Sequence, residues 1–172
     1  MKIGEITLRT AQLNLLEKLN ETIKDGNDKA IFIFPTGLGK SYSAFAHALK
    51  FAGKKGRILI LVHTEDLMKQ HEKDFKKLNK TKSIGFLYKS QKDFTQDVII
   101  ANVRTLKNHL HKFKEDYFQY IIVDETHHAT ANSWDKILTY FKPKFLLGMT
   151  ATPNIKHWQI IKYLKEQIPE LH

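Results

Sequence analysis

The 172-residue chain has no cysteine, four prolines and, among its 28 basic residues, only three arginines: Arg9, Arg57 and Arg104. Without thiols there is neither a disulfide scaffold nor a thiolate metal site, and the composition suits a reducing, cytoplasmic setting. Apolar runs are short. The longest, such as 58–62, fall far below the ~20 residues that cross a bilayer. Met1-Lys2-Ile3-Gly4-Glu5 lacks the apolar centre of a secretion signal. Repeats, low-complexity tracts and long linkers are also missing, so the expectation is one cytoplasmic domain over 1–172 with no membrane partner.

What is present begins with charge. A formal net charge of +10 and 42% apolar residues describe a globular chain that favours polyanions, nucleic acid before membrane. Lysines on solvated helix faces supply the same surplus, so charge alone does not decide.

Five runs, 30–34, 58–62, 98–101, 120–123 and 145–149, are β-branched or aromatic and nearly unbroken. Strands buried on both faces have this character. Helical stretches at 39–51, 65–78, 103–113 and 133–141 separate most of them, and 84–88 reads as one more strand. The alternation predicts an α/β fold in three layers, a mostly parallel sheet flanked by helices. A further helix is expected from Thr10 as cap to Gly26 as stop. Gln12, Leu16, Leu19 and Ile23 share one stripe of it. An amide at the head of an apolar stripe is either a polar residue at the edge of the face or a ligand contact.

Phe34-Pro35-Thr36-Gly37-Leu38-Gly39-Lys40-Ser41 follows an expected strand and opens an expected helix, the context a phosphate loop requires. Glycine lets successive N–H groups converge on an anion, and the helix aims its positive end at the same point. Thr36, Gly37, Leu38 and Gly39 would wrap the phosphates. Lys40 would reach the β- and γ-phosphates, and Ser41 would ligate Mg²⁺. Phe34 stands where glycine or alanine is commoner, but there the chain is still in the strand.

Tyr120-Ile121-Ile122-Val123-Asp124-Glu125-Thr126-His127-His128 is a buried strand ending in two acids. Ligands of parallel sheets bind beyond the carboxyl ends of strands, which puts Asp124 at the edge that carries the phosphate loop. Asp124 would hold Mg²⁺, and Glu125 would orient and deprotonate an attacking water. A solvated pair capping a loop explains the acids alone, but not beside a phosphate loop. His127 and His128 lack the spacing and third ligand of a metal site.

Together, Pro35–Ser41, Asp124-Glu125-Thr126-His127 and Gly148-Met149-Thr150-Ala151-Thr152-Pro153 resemble motifs I, II and III of superfamily 2 DExH helicases and translocases. Leu8-Arg9-Thr10-Ala11-Gln12, the segment from Leu61 to Gln70 and Ile100-Ala101-Asn102-Val103-Arg104-Thr105-Leu106 are similar to the Q-motif and motifs Ia and Ib. The likeness is to the N-terminal RecA-like ATP-binding domain, in the style of type III restriction enzyme helicase subunits. Thr126 departs from the usual Ala or Cys. The resemblance implies ATP and Mg²⁺ as cofactors, Gln12 and Arg9 on adenine, and Lys40, Asp124 and Glu125 in catalysis. It also implies His127, Thr150 and Thr152 in coupling. Thr64, Arg104 and Thr105 would touch a nucleic-acid backbone, that of duplex DNA in preference to RNA. An N-cap and a solvated arginine account for Thr64 and Arg104 equally.

In such motors an arginine from a second RecA-like domain completes the site, and none of the three arginines here lies in such a motif. The expectation is half a motor, nearly inactive by itself, needing the second domain in cis. The rival is a stand-alone binding module that does not cycle ATP. A P-loop kinase or GTPase fits poorly, because neither explains Asp-Glu-x-His followed by Thr-Ala-Thr.

Overall fold

Strands that are apolar on both sides must be covered on both sides. In the computed structural model every residue of β4 (Ile58–Val62), β7 (Val98–Asn102), β8 (Tyr120–Asp124) and β9 (Phe145–Thr150) is buried. The structure describes residues 1–33, 39–124 and 131–150, and at 33, 40 and 131 the backbone alone. With β3 (Lys29–Ile33), β5 (Ile84–Tyr88) and β6 (Gln91–Lys92), these strands form a seven-stranded sheet among the described residues. The order is β3-β9-β8-β4-β7-β5-β6, parallel throughout except for the β5–β6 hairpin.

Successive side chains point to opposite faces. Leu59, Leu61, Ile99, Ile121 and Val123 enter one cluster, with α4 (Val103–Lys107) and α5 (Ala131–Tyr140) above it. Ile58, Ile60, Val62, Ile100 and Ile122 enter the other, against α1 (Thr10–Lys24), α2 (Lys40–Ala52) and α3 (Glu65–Leu78). Each fully buried Leu or Ile contributes ~1.5–3 kcal/mol relative to an exposed one, so the central strands dominate stability. Ala44 and Ala48, both fully buried, let α2 lie close to the sheet. Three layers result, as the run-and-helix alternation predicts.

The differences from expectation are local. Arg9, not Thr10, precedes the first helical turn, and the Gln12 side-chain oxygen accepts the Arg9 N–H at 2.8 Å. The expected helix over 103–113 is α4 followed by a 3-10 turn at Leu110–Lys112. The N–H groups of Asn108 and His109 donate to Thr105 and Leu106, three residues back, which tightens the turn and ends the α geometry. The short hairpin β1 (Lys2–Ile3) and β2 (Ile6–Thr7) was not legible in the sequence. Between its strands, the Glu5 N–H donates to the Lys77 carbonyl at 2.8 Å, docking the hairpin on the end of α3. Among the described residues, no helix is long and apolar enough to cross a membrane.

Candidate functional site

Parallel strands finish at one edge of their sheet, and the register fixes which ends are neighbours. Ile33 pairs with Thr150, and Met149 pairs with Asp124. The ends of β3, β9 and β8 therefore stand side by side, with Thr150 between the exit of β3 and Asp124. Segment 34–38 follows β3, and α2 starts at Lys40. Thr36, Gly37, Leu38, Glu125, His127 and Thr152 lie outside the described residues, and Lys40 is described by its backbone only.

Gly39 is the N-cap of α2, at φ 70° and ψ 35°. A Cβ there would sit 2.2 Å from the Gln12 side-chain nitrogen. Left-handed backbone and close approach both demand glycine at this position. The first turn of α2 carries no acidic residue, so no acid of that turn opposes the attraction of this helix end for an anion. Ser41 is partly buried in that turn.

Gln12 is 5% exposed. Its nitrogen donates to the Gly39 carbonyl at 3.1 Å while its oxygen accepts from the Arg9 N–H. The start of α1 is thereby pinned to the end of the phosphate loop. The amide is thus buried and tied to the residue that caps α2, not solvated at the edge of the helix face.

Asp124 is 3% exposed at the end of β8. The imidazole of His71, on the buried stripe of α3 with Met68, Phe75 and Leu78, lies against it: Nε2 is 2.6 Å from Oδ2. A carboxylate only accepts, so the imidazole donates. Burying a carboxylate in an apolar interior is costly unless it is hydrogen-bonded, and His71 contributes one such bond. Among the described residues, the hard oxygen donors assigned to the cation, one carboxylate and the Ser41 hydroxyl, are too few for an all-protein cage. That suits Mg²⁺, which is usually held by one or two carboxylates together with substrate phosphates. Asp124 and Ser41 would hold it, and it would draw charge from the phosphate oxygens during transfer.

The residues assigned to nucleic acid meet in one open cleft of about 450 Å³, lined by His63, Thr64, Tyr88, Lys89, Asn102, Arg104 and Thr105. They meet because β4 and β7 are neighbours, with Val62 paired to Asn102. The Thr64 hydroxyl caps α3, accepting the Leu67 N–H at 3.3 Å. Asn102 organises the other wall. Its oxygen accepts the N–H groups of Arg104 and Thr105 at 3.0 and 3.3 Å, and its nitrogen donates to the His63 carbonyl at 3.1 Å. Glu65, in the first turn of α3, is held below the usual carboxylate range by hydrogen bonds from Lys89 and Lys69. Lys89 is correspondingly raised, first by Glu65 and then by Tyr88. The lysine-rich face of α3 is mostly paired with local acids, Lys69 with Glu65, Lys76 with Glu72 and Lys77 with Asp74, as a solvated helix would be.

Sequence reasoning missed His71, Asn102, Tyr88 and Lys89 as site residues. His71 had a signal, a polar residue interrupting the apolar stripe of α3. Tyr88 and Lys89 had none, since only the sheet order brings the end of β5 to the cleft.

A phosphate-loop sequence after the parallel edge strand β3, with a strand-end carboxylate two positions along the same edge, defines a P-loop α/β ATP-binding domain. The family model described as type III restriction enzyme, res subunit, matches residues 5–155, and the chain belongs to that family, with the fold of the first RecA-like domain of superfamily 2 helicases. Relatives include IRC3 of Saccharomyces cerevisiae, named as a candidate ATP-dependent helicase, 33% identical over 160 residues. That match covers 84% of this chain and 23% of IRC3. The EcoAI type I restriction enzyme endonuclease subunit of Escherichia coli is 29% identical over 163 residues, covering 87% of this chain and 20% of that protein. The chain thus spans about a quarter or less of these relatives. The same fold occurs in the Sulfolobus solfataricus SWI2/SNF2 ATPase core solved with double-stranded DNA (TM-score 0.73, 21% identity, 99% of this chain and 38% of that one). It occurs again in the type ISP restriction-modification enzyme LlaGI solved with a DNA substrate mimic (TM-score 0.69, 19% identity, 87% and 18%).

Proposed function

We propose that this chain is the ATP-binding half of an ATP-dependent nucleic-acid translocase or helicase, acting on DNA in preference to RNA in a restriction or repair setting in the cytoplasm. The observation that carries the reading is the shared sheet edge: β3 leads into the loop before α2, and Thr150 and buried Asp124 end the next two strands. Backbone N–H groups over Thr36–Gly39 and the start of α2 take the phosphates, and Lys40 neutralises the β- and γ-oxygens. Asp124 and Ser41 hold Mg²⁺. Glu125 orients the attacking water and accepts its proton, as a carboxylate general base does. Gln12, with Arg9 beside it, faces adenine. His127, Thr150 and Thr152 pass the state of the γ-phosphate to the cleft. There Thr64, Arg104 and Thr105 take backbone phosphates, contacts that fix register rather than read sequence. The DNA preference draws support from the two neighbours solved with DNA.

Calorimetric titration of Mg·ATP and Mg·ADP into wild type and Lys40→Ala tests the reading. Saturable binding that weakens at least tenfold in the variant, a loss of about 1.4 kcal/mol or more, supports it. A folded wild type that binds neither nucleotide would favour the stand-alone binding module, which has no use for a general base.

A further inference from the structure

His71 belongs to none of the motifs that carry the ATP-site reading, yet its side chain is hydrogen-bonded to the metal-holding carboxylate. Three observations set it apart from an ordinary core residue. It occupies an apolar stripe, where Met68, Phe75 and Leu78 show what packing alone would select. It is 2% exposed, and its ring stands edge-on to Phe45 of the phosphate-loop helix at 5.3 Å between centroids. Its Nε2 reaches Asp124 Oδ2 at 2.6 Å, while its Nδ1 is buried with no hydrogen-bond partner. An unpaired buried ring nitrogen costs ~1–3 kcal/mol. A leucine or methionine would avoid that cost, so the imidazole is retained for its single bond to Asp124.

From this geometry we infer that His71 is the positioning residue of the metal site. Resting on the assignment of Asp124 to Mg²⁺, the inference adds what holds that carboxylate in place. Donation from Nε2 to Oδ2 fixes the rotation of the carboxylate about its Cβ–Cγ bond and leaves its other oxygen oriented for the cation. Outer partners of metal ligands act in this way. The same helix caps the nucleic-acid cleft at Thr64, and seven residues of helix rise only ~10 Å. The metal-holding carboxylate is therefore bonded to the element that forms one wall of the cleft.

The test is titration of ADP into the wild-type chain, His71→Phe, His71→Gln and Asp124→Asn, across a range of free Mg²⁺ and in EDTA. Phenylalanine keeps the ring against Phe45 without the donor, and glutamine places an amide N–H near the position of Nε2. The expected result is that His71→Phe needs ~10–100-fold more Mg²⁺ for the metal-dependent gain in ADP affinity. Its affinity in EDTA stays at the wild-type level, and His71→Gln recovers most of the metal response. Wild-type Mg²⁺ dependence in His71→Phe, with Asp124→Asn impaired, overturns the assignment. So does an equal loss of ADP affinity in EDTA by both His71 variants, which marks a packing role. If His71→Phe does not fold, the metal response of His71→Gln decides: near wild type supports positioning, and a response like that of Asp124→Asn overturns it. A folded wild type whose ADP binding ignores Mg²⁺ sinks the ATP-site reading itself, and this one with it.

Discussion

His47 shows how burial sets the chemistry of one residue. It is 2% exposed on α2, its Nδ1 lies 2.7 Å from the Tyr120 hydroxyl, and its pKa is lowered to about 4, by burial first and then by Lys50. Burial likewise pushes the Tyr120 hydroxyl well above its ordinary range. The native imidazole is thus neutral where an unfolded chain would already take a proton. Its contribution to stability is complete above pH 6.5 and is lost as the pH falls from there toward 4, the unfolded state binding more protons in that window. At ~1.4 kcal/mol per pKa unit the loss reaches at most ~3 kcal/mol. Thermal melts between pH 7 and pH 5 should show wild type losing stability and His47→Asn, which keeps a polar atom near Nδ1 but cannot titrate, losing much less. Equal slopes would contradict the assignment. At this scale the start of α2 was legible, because Gly39-Lys40-Ser41 after an apolar run opens a helix, with Gly39 as its cap. The Gln12–Gly39 and His71–Asp124 bonds were not, since residues 27 and 53 positions apart meet only in the folded chain.

Among the elements, strands were read most accurately. A short unbroken apolar run has one way to satisfy both faces, and β4 falls at 58–62 as its pattern predicts; β5, buried on one face, also falls at the expected 84–88. Short elements held by a few side-chain bonds were read worst. α4 is five residues long, too short to persist on propensity, and depends on Asn102 for its start and its placement. Replacing Asn102 by alanine removes the bonds to Arg104, Thr105 and His63, with an expected cost of ~0.5–2 kcal/mol for the cap. Asn102→Asp keeps the acceptor and loses the donor, so it should fall between. Urea melts measure both. If the proposed cleft binds a backbone, Asn102→Ala should also weaken binding of a short DNA duplex more than Asn102→Asp does. An alanine variant as stable as wild type would show that the wall is set by packing rather than by the cap.

For the whole molecule, the proposed function shares catalysis between this domain and a second one. An arginine finger contributes ~10³–10⁵ in rate, and a second RecA-like domain in cis is its proposed source. The 172-residue chain alone should therefore release phosphate from ATP slowly and respond little to DNA. Phosphate-release assays with and without duplex measure this, and turnover by the monomer strongly stimulated by DNA would contradict it. The net charge of +10 fits a polyanion partner but does not locate its site. The proposed site is the cleft built by the pairing of β4 with β7, not the lysines of α3.

The sequence by itself determined the layers and the family: apolar runs with no polar alternation require cover on both faces, and the ordered motif segments are those of the family whose model matches residues 5–155. Sheet order, and everything that follows from it, was decided only by the tertiary structure. That β9 lies between β3 and β8, that β5 brings Tyr88 and Lys89 to the cleft, and that His71 reaches Asp124 are all long-range pairings. Local pattern carries no information about which strand end will stand beside which, because each buried run satisfies its own two faces equally well in several positions of the sheet.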